Sequence, residues 1–242
     1  MKPGLSETDP DLVAIMDNFL YGEIYNRSNL LTVKQRDLIA TVSLVTQQSG
    51  NLLRDHLSKT LDDTLSAVEV KEAVYQCIPY VGLPKVIDAI GIVNDVLVEY
   101  GISLPLESQT TTNENNRFSM GLDAQATIFG EGMRAIAVAG AENMPRSSYH
   151  LVTNCFGDYY TRTGLDLATR EMLTLAILCN LGTEPQIKSH IMGNATMGHD
   201  KGMITELMYL CLPYMGYPRF LNALGYLAEV MPVEQPAQQK GE

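Results

Sequence analysis

Two histidines each follow an acidic residue at the same distance along the chain. Asp37 precedes His56 by nineteen residues, and Glu171 precedes His190 by the same interval. A carboxylate beside an imidazole selects one tautomer and raises the basicity of the ring, which suits proton transfer near neutral pH. Each pair can meet if the acid begins one helix, the histidine lies in the next, and the two helices pack antiparallel. The structural alternative is that the acids favour helix N-termini electrostatically and the histidines are satisfied core residues.

The two pairs belong to an internal repeat. Residues 72–84 and 206–218 share the pattern Glu-x-x-Tyr-x-Cys-x-Pro-Tyr-x-Gly-x-Pro, with seven identities at an offset of 134 residues. The same offset relates His56 to His190, and residues 21–25 resemble 156–160 after a slip of one residue. The repeat predicts two copies, which extend over residues 1–104 and 118–242 and are joined by a polar linker at 105–117. Residues 118–143 have no counterpart in the first copy and are expected to add one or two helices.

The periodicity predicts an all-α protein with five or six helices in each copy. Apolar residues recur at three- and four-residue steps, as in residues 38–45, and no useful length of sequence alternates with a period of two. Helix starts are marked by residues that can bond free backbone N–H groups, including two capping boxes that begin at Thr32 and Ser66. The predicted N-caps are Thr32, Ser49, Ser66, Thr183 and Asp200. A Gly-x-Pro sequence ends the shared pattern in both copies and indicates a break between helices.

Composition narrows the classes of function. Hydrophobic residues make up 45% of the 242 residues, and the formal net charge is -11. This balance fits a globular protein and argues against nucleic-acid binding, which needs basic patches. Because the N-terminus is polar and no apolar run is long enough, the sequence predicts that a signal peptide and a membrane span are absent. Four dispersed cysteines without metal-ligand spacing predict reduced thiols in a cytoplasmic protein that carries no metal: Cys77, Cys155, Cys179 and Cys211.

The second copy contains a further set of motifs, at residues 162–176, 190–198, Glu206 and residues 214–218. The first of these resembles the first signature of the carboxymuconolactone decarboxylase family, and the others are similar to the rest of its pattern. The resemblance is weaker in the first copy. It implies an AhpD-like helical fold, no cofactor, and a small carboxylated lactone or related acid as substrate. Because members commonly form rings of single domains, it also implies a homo-oligomer, specifically a trimer of tandem chains.

The resemblance implies a working site in the second copy. The implied residues are His190, Glu171, Gln186 and Arg170 for catalysis, and Arg162 and Thr183 for substrate binding. His190 would protonate the intermediate left by loss of CO2, Glu171 would orient it, and an arginine would anchor the substrate carboxylate. A structural role for Arg170 stays open because the first copy has an arginine at the same place. Asp37 and His56 are expected to be degenerate counterparts, since Leu52 replaces Gln186 there.

Other functions remain open from the sequence. AhpD-type relatives carry a Cys-x-x-Cys pair whose positions fall on Thr183 and Gln186, so a disulfide-cycling peroxidase is not expected. The alternatives to a decarboxylase are a thiol-independent redox protein and a non-catalytic helical assembly module. A solvent-open pocket between the helices of Glu171 and His190, lined by Tyr or Arg, would favour the decarboxylase. An exposed Cys179 near His190 would favour the redox protein, and filling of the pair by Met and Leu would favour the module.

Overall fold

A computed structural model describes residues 4–139 and 145–232, with side chains over 4–135 and 146–232. The first repeat begins with α1 (Leu5–Thr8), α2 (Pro10–Asp17), a π-helix (Asn18–Ile24) and a 3-10 turn (Tyr25–Arg27). It continues with α3 (Val33–Thr46), α4 (Gly50–Thr60), α5 (Ala67–Gln76), α6 (Ile78–Val81) and α7 (Leu83–Glu99). The second repeat contains α8 (Arg117–Phe129), α9 (Gly132–Ala139), α10 (Pro145–His150) and a π-helix (Leu151–Tyr160). It ends with α11 (Leu167–Leu181), α12 (Glu184–Thr196), α13 (Lys201–Met215) and α14 (Tyr217–Val230).

The all-helical prediction with two tandem repeats is confirmed, and the described ranges contain no β-strand. Two corresponding helices, α3 of the first repeat and α11 of the second, lie at the centre of the molecule. Residues 37–46 of α3 and 170–180 of α11 are all buried. The two helices contact each other, and α3 also packs on α13 while α11 packs on α5. One continuous apolar core therefore spans both repeats, and each repeat buries the central helix of the other.

The helix starts follow the sequence signals at most positions. Thr32 and Ser66 form complete capping boxes, and the Asp200 side chain accepts a hydrogen bond from the Met203 N–H. Ser49 and Thr183 occupy N-cap positions, but neither side chain accepts a capping hydrogen bond. The turns after α6 and α13 need positive φ angles, +87° at Gly82 and +77° at Gly216, which glycine adopts without a steric penalty.

The inserted segment forms α8 and α9 as predicted, although residues 140–143 of it lie outside the described residues. Helix α8 lies directly on the π-helix at Leu151–Tyr160 with almost no space between the backbones. A Cβ atom added at Gly121 would be 2.1 Å from the Val152 carbonyl oxygen, and one at Gly157 would be 2.4 Å from that of Arg117. The two glycines therefore permit this contact, which brings the end of α8 to the centre of the second repeat.

The segment before α8 has no regular structure and is fastened to the second repeat. The carbonyl oxygen of Gln109 accepts a hydrogen bond from the Thr163 N–H at 2.9 Å, and the Thr111 hydroxyl donates to the Thr161 carbonyl at 2.8 Å. None of the helices in the described chain is both long enough and apolar enough to span a bilayer.

Candidate active site

The acid and the histidine of the second repeat form a buried pair. Helices α11 and α12 are consecutive and pack together across a tight turn at Gly182 and Thr183. The distance from His190 Nδ1 to Glu171 Oε1 is 2.6 Å. Glu171 is fully buried, and His190 is 8% exposed. With the Glu171 carboxylate as acceptor, the Nδ1–H of the imidazole donates, which leaves Nε2 as the ring nitrogen outside this contact.

Gly193 makes room for this pair. A Cβ atom at this position of α12 would lie 2.3 Å from Glu171 Oε1 and 2.8 Å from a methyl carbon of Ile128. No side chain larger than hydrogen fits without displacing the carboxylate. In the first repeat Lys59 occupies the equivalent position, and the shorter Asp37 replaces the glutamate.

Two tyrosines extend the pair into a buried hydrogen-bond network. The Tyr160 hydroxyl donates to Glu171 Oε2 at 3.2 Å and lies 2.6 Å from Thr174 Oγ1. Tyr80, which belongs to the first repeat, brings its hydroxyl within 2.8 Å of that of Tyr160. Burial raises the pKa of both tyrosines well above the usual 10, so their hydroxyls stay protonated. Both oxygens of the Glu171 carboxylate are therefore hydrogen-bonded, one by His190 and the other by Tyr160. The Tyr160 hydroxyl is in turn contacted by Tyr80 from the first repeat.

Aromatic rings cover the imidazole. Phe129, the last residue of α8, directs its ring edge-on to His190 at 5.2 Å between centroids, and Tyr80 does the same at 6.1 Å. Ile128 beside Phe129 is fully buried. Neither Phe129 nor Tyr160 was predicted as a site residue from the sequence. Tyr80 lies within the repeated pattern, which was the one available signal for it.

The first repeat does not reproduce the pair. Both oxygens of the Asp37 carboxylate accept hydrogen bonds, one from the Tyr25 hydroxyl and the other from Thr64 Oγ1. His56 instead directs Nε2 toward the backbone carbonyl oxygen of Asp37, at 3.0 Å, and toward Thr41 Oγ1, at 3.1 Å. The same spacing of nineteen residues thus gives an acid–imidazole contact in only one of the two repeats.

Comparison with known proteins agrees with this architecture. The model of the carboxymuconolactone decarboxylase family matches two segments, residues 10–95 and 145–229. The chain belongs to this family. The 4-carboxymuconolactone decarboxylase of Acinetobacter baylyi is 26% identical to it over 118 residues, which cover 48% of this chain and 87% of that protein. The relative therefore has about the length of one repeat, and the present chain is a tandem member of the family.

The two arginines expected to anchor a substrate carboxylate are already paired within the protein. Arg170 is fully buried and donates to Glu72 Oε2 at 2.8 Å and to the carbonyl oxygens of Arg162 and Thr163, both at 3.0 Å. Arg162 binds the same carboxylate through Nε and a terminal nitrogen at 2.9–3.1 Å. The Glu72 carboxylate from the first repeat thus pairs with both guanidinium groups, and the prediction of Arg170 or Arg162 as a substrate anchor stays a prediction. The complete burial and internal bonding of Arg170 fit the alternative of a structural role.

The positions that hold the redox cysteines in AhpD-type members lie at the surface end of α12. Gln186 is exposed one turn before His190, and its first-repeat counterpart Leu52 is 49% exposed. Thr183 is at the start of the helix, where its buried Oγ1 finds no partner among the described residues. Neither Thr183 nor Gln186 touches the Glu171–His190 pair through a hydrogen bond in the described chain.

The four cysteines are buried, and none of them forms a disulfide in the described chain. Cys179, the one thiol near the redox position of the family, is completely buried, and burial raises its pKa well above the usual 9. Burial likewise raises the pKa of Cys155 and of Cys211 to about 12. Thiolates are therefore not available at neutral pH. Within the described residues, no three His, Cys, Asp or Glu side chains come together as a metal site.

Proposed function

We propose that the chain is a carboxy-lyase that removes CO2 from a small carboxylated lactone or a related acid, with Glu171 and His190 as the proton-delivering pair. The observation that carries the proposal is the buried contact of 2.6 Å between these two side chains. Family membership and the similarity to a 4-carboxymuconolactone decarboxylase support the reaction class.

The chemistry requires one proton and a stabilised anion. Breaking the bond to the carboxyl carbon releases CO2 and leaves the electron pair delocalised onto the unsaturated lactone as a dienolate. Protonated His190 then gives the proton on Nε2 to carbon, and the imidazole regains a proton from water. The Glu171 carboxylate accepts the Nδ1–H and so stabilises the imidazolium before the transfer. Tyr160 keeps that carboxylate in place through its second oxygen.

The internal pairing of both arginines affects how substrate binds. A guanidinium clamped on the substrate carboxylate would stabilise the charged ground state and oppose the loss of CO2. Arg162 and Arg170 instead neutralise Glu72. Since the His190 side chain is only 10% exposed, a substrate ring reaches Nε2 when the Phe129 ring at the end of α8 moves aside.

A second candidate function has one observation in its favour. Phe129 and Ile128 of the insertion close over the pair, in place of the expected Met and Leu, and a covered pair suits a non-catalytic assembly module that has kept the family fold. The redox alternative is disfavoured, because Cys179 is buried rather than exposed beside His190.

The deciding experiment is a CO2-release assay with 4-carboxymuconolactone on wild-type protein, His190→Ala and Glu171→Gln. Loss of the proton donor is expected to lower kcat by about 10²–10⁴-fold, with helicity by circular dichroism unchanged. The matched control is His56→Ala, which removes the equivalent imidazole of the first repeat and should retain turnover. Turnover that resists His190→Ala but is lost in His56→Ala would move the chemistry to the first repeat. No turnover by the wild-type protein with this or related lactone acids would favour the assembly module.

We also propose that the chain self-associates into a trimer of tandem chains. The support is an apolar face that both repeats leave uncovered at equivalent positions. Leu83 and Ile87 of α7 are 56% and 58% exposed, and their counterparts Tyr217 and Leu221 of α14 are 59% and 60% exposed. Light scattering should give three times the chain mass, and a monomer mass would contradict the proposal.

A further inference from the structure

The first repeat has an open pocket where the second repeat has aromatic packing. A cavity of about 210 Å³ lies between α3, α4 and the π-helix at Asn18–Ile24, and the end of α13 closes one side. Its lining includes Tyr21, Tyr25, Asp37, His56, Lys59 and Tyr214. Because an apolar cavity of about 150 Å³ accommodates benzene, this volume is sufficient for one ring with a small substituent.

The Tyr214 hydroxyl is a polar group of this lining that forms no hydrogen bond with the described residues. Tyr214 occupies the position of Tyr80 in the repeat, and each tyrosine reaches into the site of the opposite repeat. The Tyr80 hydroxyl bonds with that of Tyr160, at 2.8 Å. Tyr214 has no hydrogen-bond partner among the described residues although burial raises its pKa and keeps it protonated. Because Tyr214 lines the open pocket, its hydroxyl is free to donate a hydrogen bond to a ligand atom bound there.

One substitution between the repeats explains why the hydroxyl is left alone. In the second repeat Thr174 holds the Tyr160 hydroxyl at 2.6 Å, within reach of Tyr80. In the first repeat the equivalent residue is Ala40, which has no polar side-chain atom. The hydroxyl of Tyr25 turns to the Asp37 carboxylate instead. Tyr80 therefore has the Tyr160 hydroxyl as a partner, whereas Tyr214 lacks the equivalent bond to Tyr25.

The charges of the lining favour an uncharged ligand. Asp37 lies inside, with both oxygens already bonded by hydroxyl groups, while Lys59 and Asp63 are exposed and form no ion pair within the described chain. An anion would face the Asp37 carboxylate, and a cation would meet the Lys59 ammonium group. Burial lowers the pKa of His56 below the usual 6.5, so the imidazole adds no charge at neutral pH. The Tyr21 and Tyr25 rings, 6.2 Å apart and edge-to-face, provide an aromatic wall.

We propose that this pocket binds a neutral single-ring molecule with a hydroxyl group, of the phenol class. The ring packs against Tyr21 and Tyr25, and its hydroxyl accepts a hydrogen bond from Tyr214. Binding is non-covalent and independent of the decarboxylation proposed for Glu171 and His190. The first repeat then contributes a ligand site where a defective copy of the second site was expected.

Histidine NMR tests the proposal without an activity assay. The chain has four histidines, so protein labelled only at histidine gives four ring signals, each assigned by substitution. Added phenol should shift the His56 signal with a Kd on the order of 1 mM and leave the His190 signal in place. Benzoate and benzylamine, which share the ring but carry a charge, should bind more weakly by at least about fivefold.

Two variants locate the ligand. Tyr214→Phe removes the free hydroxyl and should weaken phenol binding by about fivefold, the effect of one hydrogen bond. Tyr80→Phe is the matched control in the other repeat and should leave the Kd unchanged. Tyr21→Ala, at a position that is 41% exposed and so tolerant of substitution, should also weaken binding by removing one aromatic wall. Absence of a His56 shift, equal binding of a charged analogue, or equal effects of Tyr214→Phe and Tyr80→Phe would each overturn the proposal.

Discussion

Replacing Gly193 with alanine should disrupt the Glu171–His190 contact, because the added side chain would displace the Glu171 carboxylate. The added Cβ atom would lie 2.3 Å from Glu171 Oε1 and 2.8 Å from Ile128. Ordinary contact distances exceed these by about 1 Å, so the carboxylate must leave its place against the imidazole. Overpacking of a core costs about 1–3 kcal/mol, and loss of a hydrogen bond to a charged group costs about 1.5–3 kcal/mol. Alanine recovers about 1 kcal/mol of helix propensity. The expected net loss is about 1.5–5 kcal/mol of unfolding free energy.

Gly225→Ala is the matched control, because Gly225 lies in the interior of α14 and an added Cβ atom meets nothing within 4 Å. This change should stabilise the protein by about 0.5–1 kcal/mol through helix propensity alone. Urea unfolding, followed by circular dichroism and by tyrosine fluorescence, measures both variants under the same conditions. If Gly193→Ala proves as stable as Gly225→Ala, the close approach of Glu171 to α12 is not a constraint and the reasoning fails.

Two further predictions concern charge. Glu72→Gln leaves the fully buried Arg170 and the nearby Arg162 without their carboxylate, and urea unfolding should show a loss of about 3–5 kcal/mol. Its repeat counterpart Glu206→Gln should cost less, since Glu206 binds no arginine in the described chain, and equal losses would contradict this account. The second prediction follows from the lowered pKa of His56, which favours the neutral imidazole in the folded state. The contribution of His56 to the free energy of unfolding is therefore complete above the unfolded pKa of 6.5 and falls as the pH drops below it. Urea unfolding at successive pH values should show a smaller decline in stability for His56→Gln than for the wild-type protein. An identical decline would show that His56 is not the group responsible.

Local patterns predicted the elements and the repeat. Helical period, capping residues and the Gly-x-Pro breaks depend on neighbours a few residues apart, so the sequence reveals them directly. The fixed spacing between Glu171 and His190 also depends on local structure, since two consecutive helices joined by a short turn must bring these positions together. Their contact could therefore be anticipated, whereas its absence between Asp37 and His56 could not.

The difference between the two acid–histidine pairs arises from contacts that no spacing encodes. Thr64 and Tyr25 bind the Asp37 carboxylate. Because aspartate is shorter than glutamate, His56 turns toward the backbone instead. In the second repeat, Gly193 admits the longer glutamate against α12. Each of these outcomes depends on how side chains of several elements fill one volume.

By itself the sequence determined the helical class, the duplication, the family signatures and the acid–histidine spacing, because each of these is a periodic or local property of the chain. Only the tertiary structure decided that Arg170 is bound by Glu72, a residue 98 positions away, and that Phe129 covers His190. It also decided that the opposite repeat supplies Tyr80 to one site and Tyr214 to the other. Such contacts join elements distant in sequence, and packing of the common core brings them together.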